Sequence, residues 1–280
     1  MENERIKDVR SFWEKNPLFK GESDFEHGTA EYFKEHRKVV IEDCFAGCLD
    51  KRLFPEIKDG IILDLGCGPG FWTVEMQSFC SSKSMYSADL THNALLLTKK
   101  RLEIYKLSSR FVQANAEELP FRSASFDYVN CQGVIHHTPK TENCVKEIAR
   151  ILKPEGKALI SVYYKNVVLR NWRKIKFIGH LLMKVGAKMK GRGRDNIFYL
   201  DNEDDIIRLY DGVNNPIGKA YTRKDFANLL RPYFKIEKIF YHLFPARAFP
   251  FKIPKYFHRI LDRKLPFMIY TELKKRPSVL

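Results

Sequence analysis

The chain has 280 residues, with 49 Lys and Arg against 34 Asp and Glu and a formal net charge of +15. Its hydrophobic fraction of 44% is enough for a sizeable core and excludes global disorder, while the basic balance favours phosphorylated small molecules, nucleic acid or acidic lipid as partners without choosing among them. Met1-Glu2-Asn3-Glu4-Arg5 has no apolar core behind it, so no secretory signal is expected. No run of about 18 apolar residues occurs either, and the stretch from 175 to 189 is broken by Lys176, Lys184 and Lys188.

Six cysteines in a chain this long do not make a disulfide framework. Cys44 and Cys48 lack a partner pair at zinc spacing, so no metal is expected. A reducing cytoplasm is the expected compartment.

The first 55 residues read as helical. Val9 to Trp13 and Tyr32 to Cys44 carry apolar residues at three- and four-residue spacing, with a polar link from Lys20 to Thr29 between them. The period then changes. Gly60 to Leu65 is a short apolar run, as a strand buried on both faces should be. Further strands are predicted over Ser84 to Leu90, Arg110 to Gln113, Phe126 to Gln132 and Lys157 to Tyr164. Helical patterns separate them: Trp72 to Phe79, Asn93 to Leu107 with Thr91 as its cap, and Glu142 to Leu152, stopped by Lys153-Pro154-Glu155-Gly156. Such alternation means a parallel α/β sheet.

From residue 165 to 194 there are ten Lys or Arg and no Asp or Glu, with Trp172, Ile175, Ile178 and Leu182 interleaved at helical spacing. This predicts a basic amphipathic helix. It reads as a solvated face, as a site for a phosphorylated or acidic acceptor, or as a membrane-surface or RNA contact. Thr222-Arg223-Lys224-Asp225 then opens a helix through Leu230 as a capping box. Phe234 to His242 and Phe267 to Leu273 are the last strands, joined by a Pro-rich link from Phe244 to Pro254.

The informative segment is Leu63-Asp64-Leu65-Gly66-Cys67-Gly68-Pro69-Gly70, at the turn from the first strand into the first helix of the sheet. Ligands of open parallel sheets bind beyond the carboxyl ends of the strands, and glycine there admits positive φ and close approach. A dinucleotide fingerprint needs glycine at 71, where this chain has Phe; a Walker loop needs Gly-Lys-Ser/Thr, which is absent.

Gly-x-Gly-x-Gly preceded by Asp64 resembles motif I of the class I S-adenosylmethionine (SAM)-dependent methyltransferases. Four further segments match that family in order: Asp89 after the second strand, Asn115-Ala116-Glu117-Glu118-Leu119-Pro120-Phe121, Ser125 to Val129 leading into Gly133-Val134-Ile135-His136-His137, and Glu147 to Lys157. The resemblance covers about residues 60 to 164 and extends to small-molecule, type 11-like members. It implies a Rossmann-like, seven-stranded, mostly parallel sheet of order 3-2-1-4-5-7-6. Residues 1–55 then form a helical lid, 56–164 the cofactor-binding core, 165–220 a basic cap insertion and 221–280 the rest of the sheet.

By the same resemblance SAM is the cofactor and S-adenosylhomocysteine the product. Gly66, Cys67, Gly68 and Gly70 form the loop on the methionine part, oriented by Asp64. Asp89 holds the ribose and Leu90 packs on adenine. Asn115 and Ala116 contact the adenine edge; the family usually has Asp at 115, and an amide oxygen can still accept from the adenine amino group. Cys131 or Gln132 lies near the methionine ammonium. His136 or His137 is the candidate base, and either also reads as a packing residue. Trp13, Tyr32 and Arg37 of the lid, with Asn215 and Tyr221 of the insertion, are candidate acceptor contacts. The expected reaction is methyl transfer to a small molecule, anionic acceptors included, at oxygen or nitrogen. The alternatives are RNA methylation, quinone or lipid C-methylation, and a silent SAM-binding scaffold; peripheral membrane contact also stays open.

Overall fold

The computed structural model describes residues 4–184, 194–246, 249 and 251–277. Among these residues the strands are β1 (Lys58–Leu65), β2 (Ser81–Asp89), β3 (Arg110–Gln113), β4 (Phe126–Gln132), β5 (Leu152–Tyr164), β6 (Ala220–Tyr221), β7 (Phe234–His242) and β8 (Met268–Lys275). They form one sheet of order β3-β2-β1-β4-β5-β8-β7, with β6 pairing β5 off this path. β8 is antiparallel to both neighbours, Ile160 facing Thr271 on one side and Ile239 facing Thr271 on the other. The seven-strand order implied by the family is therefore present, and the two-residue β6 is added to it.

Alternation along β1 explains its burial. Leu63 and Leu65 join one apolar cluster with Val145 and Ile148 of α5 (Thr141–Ile151) and Phe226 and Leu230 of α9 (Arg223–Leu230). Ile62 points the other way, into a cluster with Phe45, Met76 of α3 (Phe71–Phe79), and Ile206 and Ile207 of α8 (Glu203–Asp211). Both faces of the sheet are covered, so its strands read as apolar runs.

The N-terminal segment forms α1 (Glu4–Lys15) and α2 (Ala30–Val39), the latter continued by a π-turn over Val40–Cys44. Thr29 caps α2, its hydroxyl accepting from Tyr32 N. The capping box at Thr222 is also present: its hydroxyl accepts from Asp225 N at 3.2 Å.

Three expectations are corrected. Thr91 does not cap α4 (His92–Tyr105); its hydroxyl donates to Asp89 Oδ1 at 2.8 Å. The cap comes from another helix, where the Glu14 carboxylate accepts from His92 N at 2.9 Å and Asn93 N at 3.0 Å. A negative charge on the positive end of α4 thus pins α1 to the core. The basic stretch is not one helix: α6 (Val167–Arg170) and α7 (Trp172–Lys184) break at Asn171, and residues 185–193 lie outside the described residues. Finally, the Lys153-Pro154-Glu155-Gly156 stop lies inside β5, as an irregularity in its pairing with β4, with Glu155 at φ +64°. α8, β6 and α10 (Lys255–Lys264) have no counterpart in the sequence reading.

Candidate cofactor and acceptor site

The strand order reverses between β1 and β4, and the loops after these strands face one crevice. After β1, Gly66, Gly68 and Gly70 all take positive φ, at +73°, +51° and +76°. A Cβ on Gly66 would fall 2.2 Å from Val134 Cγ2 of the β4 loop, so glycine is required there by close approach as well as by conformation. Gly66 N donates to Ala88 O at 2.7 Å, and Gly68 N to Asp89 Oδ2 at 3.0 Å. Asp89 Oδ1 accepts from Thr91 N at 2.9 Å. Burial raises the Asp89 carboxyl, and these hydrogen bonds oppose the shift. Asn115 Oδ1 accepts from Glu117 N at 3.0 Å, so the oxygen assigned to adenine also shapes its own loop.

A polar relay crosses the sheet beneath this loop. Asp64 and Asn130 are register partners on β1 and β4. Asn130 Nδ2 donates to Asp64 Oδ1 at 2.8 Å, and Thr73 Oγ1 donates to Asp64 Oδ2 at 2.6 Å. Gln132 Nε2 in turn donates to Asn130 Oδ1 at 2.7 Å. The chain of donors fixes the amide of Gln132, leaving Oε1 buried and without a partner in the wall of the cavity. An orphaned acceptor at that place fits a bound ammonium group. Of the two candidates for that contact, Gln132 reaches the cavity; Cys131 is fully buried in the apolar core. Asp64 also sits behind the wall, with burial pushing its carboxyl up to about 6.

The β4 loop carries the two histidines on a short 3-10 turn, Ile135–His137. Both line the cavity and both are buried, their rings 4.2 Å apart. Burial, then the neighbouring His137 and Lys219, hold His136 well below the usual histidine range, so it is neutral at physiological pH. His137 Nδ1 lies 2.8 Å from the Ile217 carbonyl, which places the proton on Nδ1 and leaves Nε2 as the acceptor. Asp211 Oδ2 is 3.4 Å from that Nε2, and Tyr163 donates its hydroxyl to Asp211 Oδ1 at 2.6 Å. His137 is therefore built to take a proton at Nε2 and to have it stabilised there. Tyr163 escaped the sequence reading, whereas Asp211 opens the run of turn formers to Pro216 that reads either as a plain turn or as an acceptor contact, with Asn215 the residue of it singled out.

The cavity has a volume of about 400 Å³. Gly66, Cys67, Gly68, Asp89, Leu90, Asn115, Ala116 and Gln132 line one part of it, and Trp13 of α1 lies edge-on to His137 at 5.0 Å. Much of the remaining wall is apolar, with Phe45, Trp72, Tyr210, Leu243, Met268 and Tyr270. Among the described residues no Lys or Arg lines it, and its charged groups are Glu22, Asp43, Asp89 and Asp211. Among the described residues of the basic stretch none lines this wall, so these residues give the expected anionic acceptor no counter-charge there.

Besides Cys131 and Asp64, five singled-out residues stand away from the wall. Gly70 N closes the loop turn on Cys67 O at 2.9 Å. Tyr32 packs with Phe19 and Phe33, its hydroxyl donating to Leu18 O at 3.3 Å. Arg37 pairs with Glu75 through both carboxylate oxygens. Asn215 Oδ1 accepts from Ile217 N, holding the segment whose carbonyl orients His137. Tyr221 Oη is 3.3 Å from Thr141 Oγ1.

Residues 63–160 match a family model described as a methyltransferase domain. A demethylmenaquinone methyltransferase of Lactococcus lactis is 35% identical over 124 residues, covering 38% of this chain and 49% of that protein. One from Bacillus licheniformis is 30% identical over 128 residues, covering 45% of this chain and 52% of that protein. The chain thus spans about half the length of these curated relatives. A SAM-dependent methyltransferase from Methanosarcina mazei has the same fold, with a TM-score of 0.53 at 21% identity over 79% of this chain and 93% of that one.

Proposed function

We propose that this chain, whose residues 63–160 match a methyltransferase-domain model, transfers a methyl group from SAM to an uncharged aromatic small molecule bearing a ring hydroxyl, of the phenol or hydroquinone class. The observation that carries the reading is the cavity wall. It is mostly aromatic and aliphatic, it offers no cation among the described residues, and it holds the pair of His137 and Asp211 together with Gln132. A flat apolar ring is desolvated by such a wall and its hydroxyl is the one group the histidines address.

When bound, SAM supplies an electrophilic sulfonium methyl. The chain supplies placement and a proton acceptor. The loop of Gly66 and Gly68, with Asp89 at the end of β2, would hold the cofactor, and Gln132 Oε1 would accept from its ammonium group. Trp13, Phe45 and Trp72 hold the acceptor ring and exclude water. His137 Nε2 takes the hydroxyl proton, and Asp211, steadied by Tyr163, stabilises the charge formed. His136, kept neutral by burial, sets the edge of the site without adding a charge.

The names of the relatives favour a second reading for the acceptor atom. Demethylmenaquinone methyltransferases act on a quinone ring, and a deprotonated hydroquinone is nucleophilic at the carbon beside its oxygen, so the same base serves carbon or oxygen transfer. The wall gives RNA phosphates no partner and so does not favour the RNA reading.

The test is a panel of simple phenols, catechols and hydroquinones, with their phosphorylated counterparts, incubated with protein and ¹³C-methyl SAM. Turnover of the uncharged members and not of the phosphorylated ones is the expected result, and the methyl carbon resonance separates O-methyl from C-methyl product. Preference for the phosphorylated members overturns the reading.

A further inference from the structure

Helix α10 is built inside out. Its two buried side chains are polar, His258 and Asp262, while Tyr256 is 72% exposed, Phe257 58% and Ile260 40%. Phe251, just before it, is 63% exposed. At 100° per residue, Tyr256, Ile260 and Phe257 lie on one side of the helix, with Lys264 among them and Arg259 and Arg263 flanking. From residue 251 to 264 there are five cations, Lys252, Lys255, Arg259, Arg263 and Lys264, and a single carboxylate. That carboxylate, Asp262, is turned inward, accepting from Phe244 N at 3.1 Å and lying 3.1 Å from His242 Nδ1. A helix that spends its buried face on polar contacts and shows solvent a ring of aromatics among cations gains nothing from this arrangement in water.

The polar contacts fix where the helix sits. His258 Nε2 lies 3.1 Å from Phe244 O, and Arg259 Nε donates to Ala46 O at 3.3 Å. Next to these anchors in the chain, Cys44, Phe45 and Leu243 line the cavity, and Leu243 N donates to Cys44 O at 3.0 Å. β5 and β7, the strands that precede α6 and α10, also run in the same direction and end at the same edge of the sheet.

We propose that the outward face of α10, with Phe251, docks the protein on an anionic lipid bilayer. Tyr256, Phe257 and Ile260 enter the interface and the flanking Lys and Arg meet the lipid phosphates, a pattern of apolar centre and basic rim that complements an acidic membrane surface. The inward side of α10 is bonded next to Phe45 and Leu243 of the cavity wall, so docking would place the site close to the bilayer surface. The docking itself rests on α10 and goes beyond the proposed reaction.

The test is flotation of the whole protein with phosphatidylglycerol vesicles and with phosphatidylcholine vesicles, at low and high salt. Binding to the anionic vesicles that weakens with salt, with little binding to the neutral ones, is expected. A Tyr256→Ser/Phe257→Ser/Ile260→Ser variant and an Arg263→Glu/Lys264→Glu variant should each partition at least about tenfold less. Their thermal melting and SAM affinity, measured alongside, should match the parent protein. A parent protein that stays off anionic vesicles overturns the proposal, as do variants that bind as well as the parent. So does a parent dimer that the triple variant converts to monomer without vesicle binding, because that face then meets a second copy of the chain. Methylation of a water-soluble phenol, read separately, reports on the proposed reaction and not on docking.

Discussion

Replacing Asp64 by asparagine should stabilise the protein at neutral pH and not at acid pH. Burial holds this carboxyl at about 6 against 3.8 in an open chain, although Thr73 and Asn130 both donate to it. Between about pH 4 and 6 the folded carboxyl keeps a proton that the unfolded chain has lost, so stability falls as pH rises through that window. The shift of roughly two pH units, at about 1.4 kcal/mol each, makes the full cost about 3 kcal/mol above pH 6.

Asparagine fits the same contacts. Its oxygen accepts from Asn130 Nδ2 and its amide donates to Thr73 Oγ1, whose own proton turns to Ser87 Oγ, 3.2 Å away. Asp64→Asn should therefore match the parent near pH 4 and exceed it by about 3 kcal/mol near pH 7.5. Urea unfolding followed by tryptophan fluorescence at a series of pH values measures the difference directly. Parallel curves, or a variant less stable than the parent at neutral pH, refute the reasoning.

Gln132→Leu removes the acceptor assigned to the cofactor ammonium and should weaken SAM binding about 10- to 100-fold by calorimetry; an unchanged Kd removes Gln132 from that role. His137→Gln should lower kcat about a hundredfold or more while the Kd for SAM stays within about twofold. A full rate assigns the base elsewhere. Gly66→Ala should cost about 2 kcal/mol or more, from positive φ and from contact with Val134; adding Val134→Ala should recover the contact and not the strain. Complete recovery in the double variant means that the backbone there is not strained.

The parts of the chain whose local pattern agrees with their burial were legible. Arg110–Gln113, Phe126–Gln132 and Phe234–His242 have the bounds read from period alone. The glycine spacing after β1 located the crevice because positive φ at three alternate positions leaves few other residues. α10 was missed for the opposite reason. Its buried positions, His258 and Asp262, are polar and its exposed ones apolar, the reverse of what periodicity seeks.

The cap of α4 by Glu14 joins positions 78 residues apart, beyond any local signal. Tyr32 and Arg37 look like binding residues in sequence and are held by packing and by Glu75. The relay from Asp64 to Gln132 was half visible, since Asn130 and Gln132 are two apart on a strand and share a face. What the sequence did not show is the partner strand's register, which sets Asp64 opposite Asn130.

The central claim is an uncharged aromatic acceptor in an apolar chamber beside the cofactor. Incubating the protein with methyl-labelled SAM and a complete cell extract, then partitioning the label between organic-soluble, aqueous and RNA fractions, tests it most directly. The account predicts label in the organic-soluble fraction, on an aromatic product. Label in RNA that is lost on RNase treatment, or in phosphorylated aqueous metabolites, contradicts it.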